Sequence, residues 1–200
     1  MLLLARHAPT QYNDEAHPRL RGWIDLPLDS LGLRLAAATA RYIASRMTPA
    51  IVITSDLTRA IQTGRTIASA TGAPLHADRR LRPWDIGALT GQEATAKNRA
   101  QMHLFQFDVP DTPIPGGEAY NTFLGRWGEA LNELLARAQA QDVVAVAHHR
   151  NALALPQLLR GEPSSPTGPP EPAGVLEVTP TDFREVFVPP NHHRGTGTGS

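Results

Sequence analysis

The sequence predicts an α/β protein, a three-layer α/β/α sandwich around a mostly parallel sheet. Short apolar runs at residues 2–5, 51–54 and 143–147 have the length and continuity of strands buried on both faces. Segments with helical periodicity lie between them, so strand and helix alternate along the chain. Each of the three runs also ends in polar residues, Arg6-His7, Ser55-Asp56 and His148-His149. In an open parallel sheet, ligands bind beyond the carboxyl ends of the strands. Three such ends on one edge would make a compact polar site.

The elements follow in order. Leu2-Leu3-Leu4-Ala5 is the first strand, and a polar loop containing Asn13, Asp14, Pro18 and Gly22 follows it. Asp29-Ser30 caps a helix running to about Arg46, with Leu31, Leu35, Ala38 and Tyr42 on one face. After the second strand, a helix begins beyond Ser55-Asp56 and ends near Gly72, a natural terminator. An apolar point at Leu75 leads into Leu81-Arg82-Pro83-Trp84-Asp85-Ile86-Gly87. Residues 92–105 read as a weakly amphipathic helix, and Pro110, Pro113 and Pro115-Gly116-Gly117 as an extended loop. The longest helix is expected over 118–140, with Tyr120, Leu124, Trp127, Leu131, Leu134 and Ala138 at core spacing. Nine of the 18 prolines fall between 156 and 190, which lowers the helix expectation there. Two short strands are expected at 174–179 and 184–188. The last ten residues have nothing to bury and read as a mobile tail, so the domain is expected to span 1–190.

Composition narrows the function. Two hundred residues suit one domain, long enough to bury roughly 70% of its unfolded surface. Nineteen basic residues balance 19 acidic ones, which argues against a nucleic-acid partner recognised through a basic face. The absence of cysteine excludes disulfides, thiolate zinc sites and cysteine nucleophiles. The apolar opening is too short for a signal peptide or a membrane span, so a cytoplasmic protein without a membrane partner is expected. Monomer and homodimer both stay open. Lys97 is the one lysine, so arginine is the default cation and any single arginine is weak evidence. His192-His193 has the look of a metal pair but lacks a spaced third ligand, and no metal or other cofactor is expected.

Six ordered motifs then carry a family resemblance. Arg6-His7-Ala8-Pro9-Thr10 with Asn13 resembles the R-H-G-x-T-x-x-N opening of the histidine phosphatase superfamily, in its phosphoglycerate mutase-like branch. Gly22-Trp23-Ile24-Asp25-Leu26-Pro27-Leu28 resembles the G-W-x-D-x-P-L loop, and Ser55-Asp56-Leu57-Thr58-Arg59-Ala60 the S-D-L-x-R-A helix start. The segment at Leu81-Arg82, Asp85 and Gly87, then Pro115-Gly116-Gly117-Glu118, then Val146-Ala147-His148 complete the series. The resemblance implies a metal-independent phosphomonoesterase acting on a small phosphorylated substrate. His7 would be the nucleophile that forms a phosphohistidine. Arg6 and Arg59 would clamp the phosphoryl oxygens, and His148 would donate to the same group. Asn13, Thr10, Gly22, Glu118 and His149 would complete the substrate site, helped by the dipole of the helix after Ser55.

The departures bear on mechanism. Ala8 and His149 stand where the family carries glycine. Pro83 stands where it carries the glutamate that protonates the leaving group, and proline has no proton to give. Asp85 and Glu118 are the remaining candidate acids. On an extended backbone Asp85 points to the side of residue 83, which favours it. A mutase and a phosphate-binding pseudoenzyme with weak turnover are the alternatives. The stretch from Leu89 to Pro110 looks short for the insertions a mutase would need.

Overall fold

The computed structural model describes residues 1–13, 16–164, 168 and 170–190. The tail and His192-His193 lie outside these residues. Six strands form one sheet: β1 (Leu2–Arg6), β2 (Ile51–Thr54), β3 (Leu75–Ala77), β4 (Val143–Ala147), β5 (Val175–Val178) and β6 (Phe183–Phe187). Their order is β3-β2-β4-β1-β5-β6. β1 to β4 pair in parallel, while β5 and β6 add antiparallel to the β1 edge. The central strands β1 and β4 are buried along their whole length, as continuous apolar runs require.

Helices cover both faces. α1 (Ser30–Arg46) and α2 (Thr58–Thr71) pack over Leu3, Ala5, Val52, Val144 and Val146. On the opposite face, α4 (Tyr120–Ala138) packs over Leu2, Leu4, Val143, Ala145 and Ala147. The alternation of side chains along each strand assigns odd and even residues to the two layers. α3 (Ala96–His103), α5 (His149–Leu153) and α6 (Leu155–Arg160) are the other α-helices among the described residues. The expected three-layer architecture is the observed one.

The caps fall where the residue types place them. The Asp29 carboxylate accepts from the amide of Gly32 at 2.7 Å, and Gly72 closes α2 at φ +74°. The buried face of α1 is rotated from the one its large side chains suggest. It is built on Gly32, Leu35, Ala36, Thr39, Ala40 and Ile43, and Leu35 alone belongs to both sets. Small residues win this face because the backbone approaches closely: a Cβ on Gly32 would lie 2.1 Å from the Pro9 carbonyl oxygen. Tyr42 instead stacks on Phe187 at 4.5 Å. A second correction concerns Pro156, which stands in the first turn of α6, where its missing N–H costs no hydrogen bond. The helix expected at 92–105 is shorter, and continues into one π-turn at Leu104–Asp108.

Among the described residues, no helix is long and apolar enough to cross a membrane. Trp127 is fully buried on α4, and its indole N–H donates to the Asn151 carbonyl in α5 at 3.0 Å. It thereby fastens the layer behind His148. Trp127→Ala is expected to cost about 3–5 kcal/mol in chemical denaturation. A loss below about 1 kcal/mol would mean that α5 is held by other contacts.

Candidate active site

The parallel pairing of β1 with β4 sets the site. Arg6 is in register with Ala147, so the next residues, His7 and His148, emerge side by side at the carboxyl edge. Their ring centroids are 5.0 Å apart and tilted by 59°. The backbone holds both turns, because the His7 amide donates to the Ala147 carbonyl at 3.0 Å and the Ser55 amide to that of Val146 at 2.9 Å. The Nδ1 of His7 lies 2.7 Å from the Ala8 carbonyl oxygen, which can only accept. Nδ1 therefore carries the hydrogen and the lone pair resides on Nε2. The Thr63 hydroxyl, on α2, accepts from the Ala8 amide at 3.1 Å and fixes the same turn. Ala8 is fully buried without a positive φ, so alanine meets no backbone strain where the family pattern has glycine.

A cavity of about 370 Å³ opens above the pair. Its wall includes His7, His148, His149, Asn13, Gly22 and Arg59 from the sequence expectations. Arg19, Arg21, Arg99 and Arg150 also line it, and among the described lining residues no Asp or Glu appears. Arg59 is 1% exposed, and its guanidinium donates to the carbonyls of Ile24 and Gly22 at 2.6 and 3.1 Å. A Cβ at Gly22 would fall 2.6 Å from the Thr90 hydroxyl, so this turn leaves room for glycine alone. Arg59 Nε, one Arg21 terminal nitrogen and both His148 ring nitrogens are buried without a protein hydrogen-bond partner.

The other expected residues sit elsewhere. Arg6 is buried outside the cavity wall, and donates to the Pro170 carbonyl at 2.9 Å. Thr10 is also behind the wall, and donates from its amide to the Asn13 side-chain oxygen at 3.0 Å. The N-terminus of α2 is occupied by Asp25, whose carboxylate accepts from the Thr58 amide and hydroxyl at 2.7 and 2.8 Å. The helix dipole is therefore answered within the protein.

The two candidate acids are engaged away from the cavity. Pro83 lines the wall, whereas Asp85 and Glu118 do not. The Asp85 carboxylate turns back onto the chain and accepts from the Gly87 amide at 3.1 Å, at the entry to a 3₁₀ turn. Glu118 accepts from the Asp85 amide at 2.9 Å and pairs with Arg126. Arg126 in turn donates to the carbonyls of Arg80, Arg82 and Pro83. The Trp23 indole also donates to the Pro83 carbonyl, at 2.7 Å, and Trp23 itself lies outside the cavity lining. Asp85, Glu118 and Trp23 thus act as the mounting of the residue-83 wall.

Sequence reading missed Arg21 and Arg150. Arginine is so common here that neither stood out, although Arg150 follows the His148-His149 strand end directly. Charge and burial act together on the site. Burial, then Arg59, Arg21 and Arg6, hold His7 well below the usual imidazole range, against the Ala8 hydrogen bond. Burial, then Arg59, His7 and Arg21, do the same to His148. Burial and Arg6 push His149 down to about 4, and its Nε2 lies 2.9 Å from the Gly168 carbonyl. Burial and Arg21 push Arg6 and Arg59 each down to about 9, so both stay charged at neutral pH.

The carboxyl edge of the sheet thus gathers histidines held below the usual imidazole range and buried arginines around one cavity. The comparisons name the class. The chain belongs to the histidine phosphatase superfamily (branch 1), whose pattern matches residues 2–187. It is 34% identical over 148 residues to a probable phosphoglycerate mutase of Proteus mirabilis, covering 72% of this chain and 67% of that one. It is 31% identical over 172 residues to a glucosyl-3-phosphoglycerate phosphatase of Mycolicibacterium vanbaalenii, covering 81% and 75%. A solved mycobacterial glucosyl-3-phosphoglycerate phosphatase complexed with VO3 superposes with a TM-score of 0.73 at 26% identity, over 94% of this chain and 98% of that one.

The depressed histidines make stability depend on pH. Unfolded imidazoles bind protons below about pH 6.5 while His7, His148 and His149 in the fold stay neutral, so the unfolded state gains as pH falls. Their contribution is complete above about 6.5 and is lost on acidification toward the folded values. The melting temperature is expected to fall between pH 7 and 5, and less steeply in His148→Gln. An equal slope in that variant would assign the acid sensitivity to other groups.

Proposed function

We propose that the protein is a metal-independent phosphomonoesterase that works through a phosphohistidine at His7. The observation that carries this reading is the Nδ1–H of His7 bound to the Ala8 carbonyl, which leaves the Nε2 lone pair free beside Arg59 and Arg21. Nε2 attacks phosphorus in line, and the guanidinium groups of Arg59 and Arg21 take the spread charge of the transferring group. His148 donates to a phosphoryl oxygen, gaining its proton as the anion offsets the surrounding cations. Water then cleaves the N–P bond and releases phosphate. Asn13 and His149 contact the substrate, while Arg6 acts through its field on His7. No group of three His, Cys, Asp or Glu among the described residues is placed to hold a metal ion. The scheme needs none, because arginines supply the positive charge.

Mutase-type transfer is the second reading, favoured by the likeness to the Proteus mirabilis relative. Following one phosphoryl group on a phosphoglycerate separates the two, since a mutase returns it to another carbon and a phosphatase gives it to water.

Quenching without acid during turnover is expected to trap label on His7 that is labile to acid and stable to base. His7→Ala removes label and turnover together. Label on a serine or aspartate would reject the mechanism, and activity abolished by chelators would reject metal independence. Arg21→Met is expected to slow turnover by about 10²–10³. The same change removes a like charge from a buried cluster, so the ligand-free melting temperature should rise. A variant both slower and less stable would show that Arg21 is held by contacts other than its function.

A further inference from the structure

We propose that the natural substrate carries its phosphoryl group on an acidic oxygen: an acyl phosphate, a phosphoric anhydride or an aryl phosphate. The leaving group would then depart as a stable anion without taking a proton from the protein. The inference rests on the phosphohistidine reading and deepens it.

The cavity wall at residue 83 presents the ring of Pro83, which has no proton to give. That wall is rigidly mounted. The Pro83 carbonyl accepts from the Trp23 indole and from Arg126, both at 2.7 Å, and Arg126 is locked by Glu118. The neighbouring carboxylates are thus consumed in holding the wall, with Asp85 on the Gly87 amide and Glu118 on Arg126. Swinging Glu118 into the cavity would break its hydrogen bonds to the Asp85 amide and to Arg126, and swinging Asp85 in would free the Gly87 amide.

The described side chains that do line the cavity are poor acids for an alkoxide. Arg19, Arg21, Arg59, Arg99 and Arg150 are guanidinium groups, which serve as fixed charge and hydrogen-bond donors rather than as proton donors to an alkoxide. His7 is the attacking base, and the proton that His148 gains is committed in the proposed step to a phosphoryl oxygen rather than to the leaving one. The Nε2 hydrogen of His149 is engaged by the Gly168 carbonyl, and Arg6 beside it opposes a second proton. What the cavity offers a departing oxygen is positive charge. Arg150 is anchored by Gln106 at 2.8 Å, with its guanidinium 5.9 Å from the Trp84 ring centre. Arg99 is anchored by the Ala94 carbonyl, and Arg19 by that of Gly91. Fixed cations stabilise an anion that can exist, such as a carboxylate, a phosphate or a phenolate; they do not make an alkoxide a leaving group.

The step balances without an acid. The Nε2 lone pair of His7 forms the N–P bond as the P–O bond breaks. The oxygen keeps the electron pair and leaves as an anion. Water then forms the new P–O bond, the N–P pair returns to Nε2, and one proton leaves with the products to solvent.

The test is a leaving-group series with the full chain: acetyl phosphate, a nucleoside diphosphate, p-nitrophenyl phosphate and an alkyl phosphate of similar size. General acid catalysis is worth about 10²–10⁴, so kcat/KM for the alkyl ester should trail the best activated substrate by about a hundredfold or more. Preference for the acyl arm assigns a carboxylate leaving group, and preference for the diphosphate arm assigns a phosphate one. Preference for the aryl arm assigns a phenolate. Pro83→Glu should narrow the alkyl gap by about tenfold or more, and Tyr12→Phe should leave it unchanged. An alkyl ester turned over within a hundredfold of the others overturns the proposal, as does a gap that widens in Tyr12→Phe, which would make that phenol the donor. His7→Ala separates this from the underlying reading. Release that persists in His7→Ala, or no release from any substrate, overturns the phosphohistidine reading and this one with it.

Discussion

The structure depends on one electrostatic constraint: arginines and histidines are gathered, and largely desolvated, at the carboxyl edge of the sheet, with no described carboxylate in the cavity wall. Arg6, His7, Arg59 and His148 are each less than 10% exposed. Such a cluster opposes folding, since desolvation and mutual repulsion both disfavour charge there. The fold offsets this through the rest of the domain, where the apolar strands pack against the buried faces of α1, α2 and α4. The histidines respond by staying neutral, which is the protonation state a nitrogen nucleophile requires. Under the proposed function, an oxyanion entering the cavity would relieve the repulsion, so that binding and the release of electrostatic strain would be one event.

Around that cluster the protein spends its carboxylates on structure. Asp25 closes the start of α2, Asp56 pairs with Arg82, and Glu118 pairs with Arg126, each outside the cavity. These pairs tie the loop at 22–28, the residue-83 wall and α4 into one frame. Arg82 also lies over the Trp23 ring at 4.6 Å. Arg82 and Arg126 in the frame are satisfied by carboxylates or carbonyls, whereas Arg6, Arg21 and Arg59 each keep one buried nitrogen without a protein partner, and of these three Arg21 and Arg59 line the cavity.

This explains what was legible in the sequence. The strands were, because Leu2-Leu3-Leu4-Ala5 and Val143-Val144-Ala145-Val146-Ala147 admit few other readings, and the pairing of His7 with His148 followed from two strand ends. The core face of α1 was not, because alanine and glycine carry little hydrophobic signal and their burial comes from close backbone approach. Arg21 and Arg150 were hidden by the abundance of arginine. Asp85 was misplaced because its carboxylate is held by the amide of Gly87, a local hydrogen bond that the period of two does not foresee. The mounting role of Glu118 needed the Arg126 partner, eight residues away on α4, which no local pattern marks.

The claim on which the rest turns is that burial, together with the neighbouring arginines, keeps His7 neutral until an anion arrives. Its most direct test is a proton and nitrogen NMR titration of the histidine rings, with and without inorganic phosphate. The account predicts that His7 in the free protein remains the neutral Nδ1–H tautomer to well below pH 6.5, and that phosphate raises its protonation midpoint and that of His148. A free-protein His7 that titrates near 6.5, or a midpoint that phosphate does not move, would contradict it.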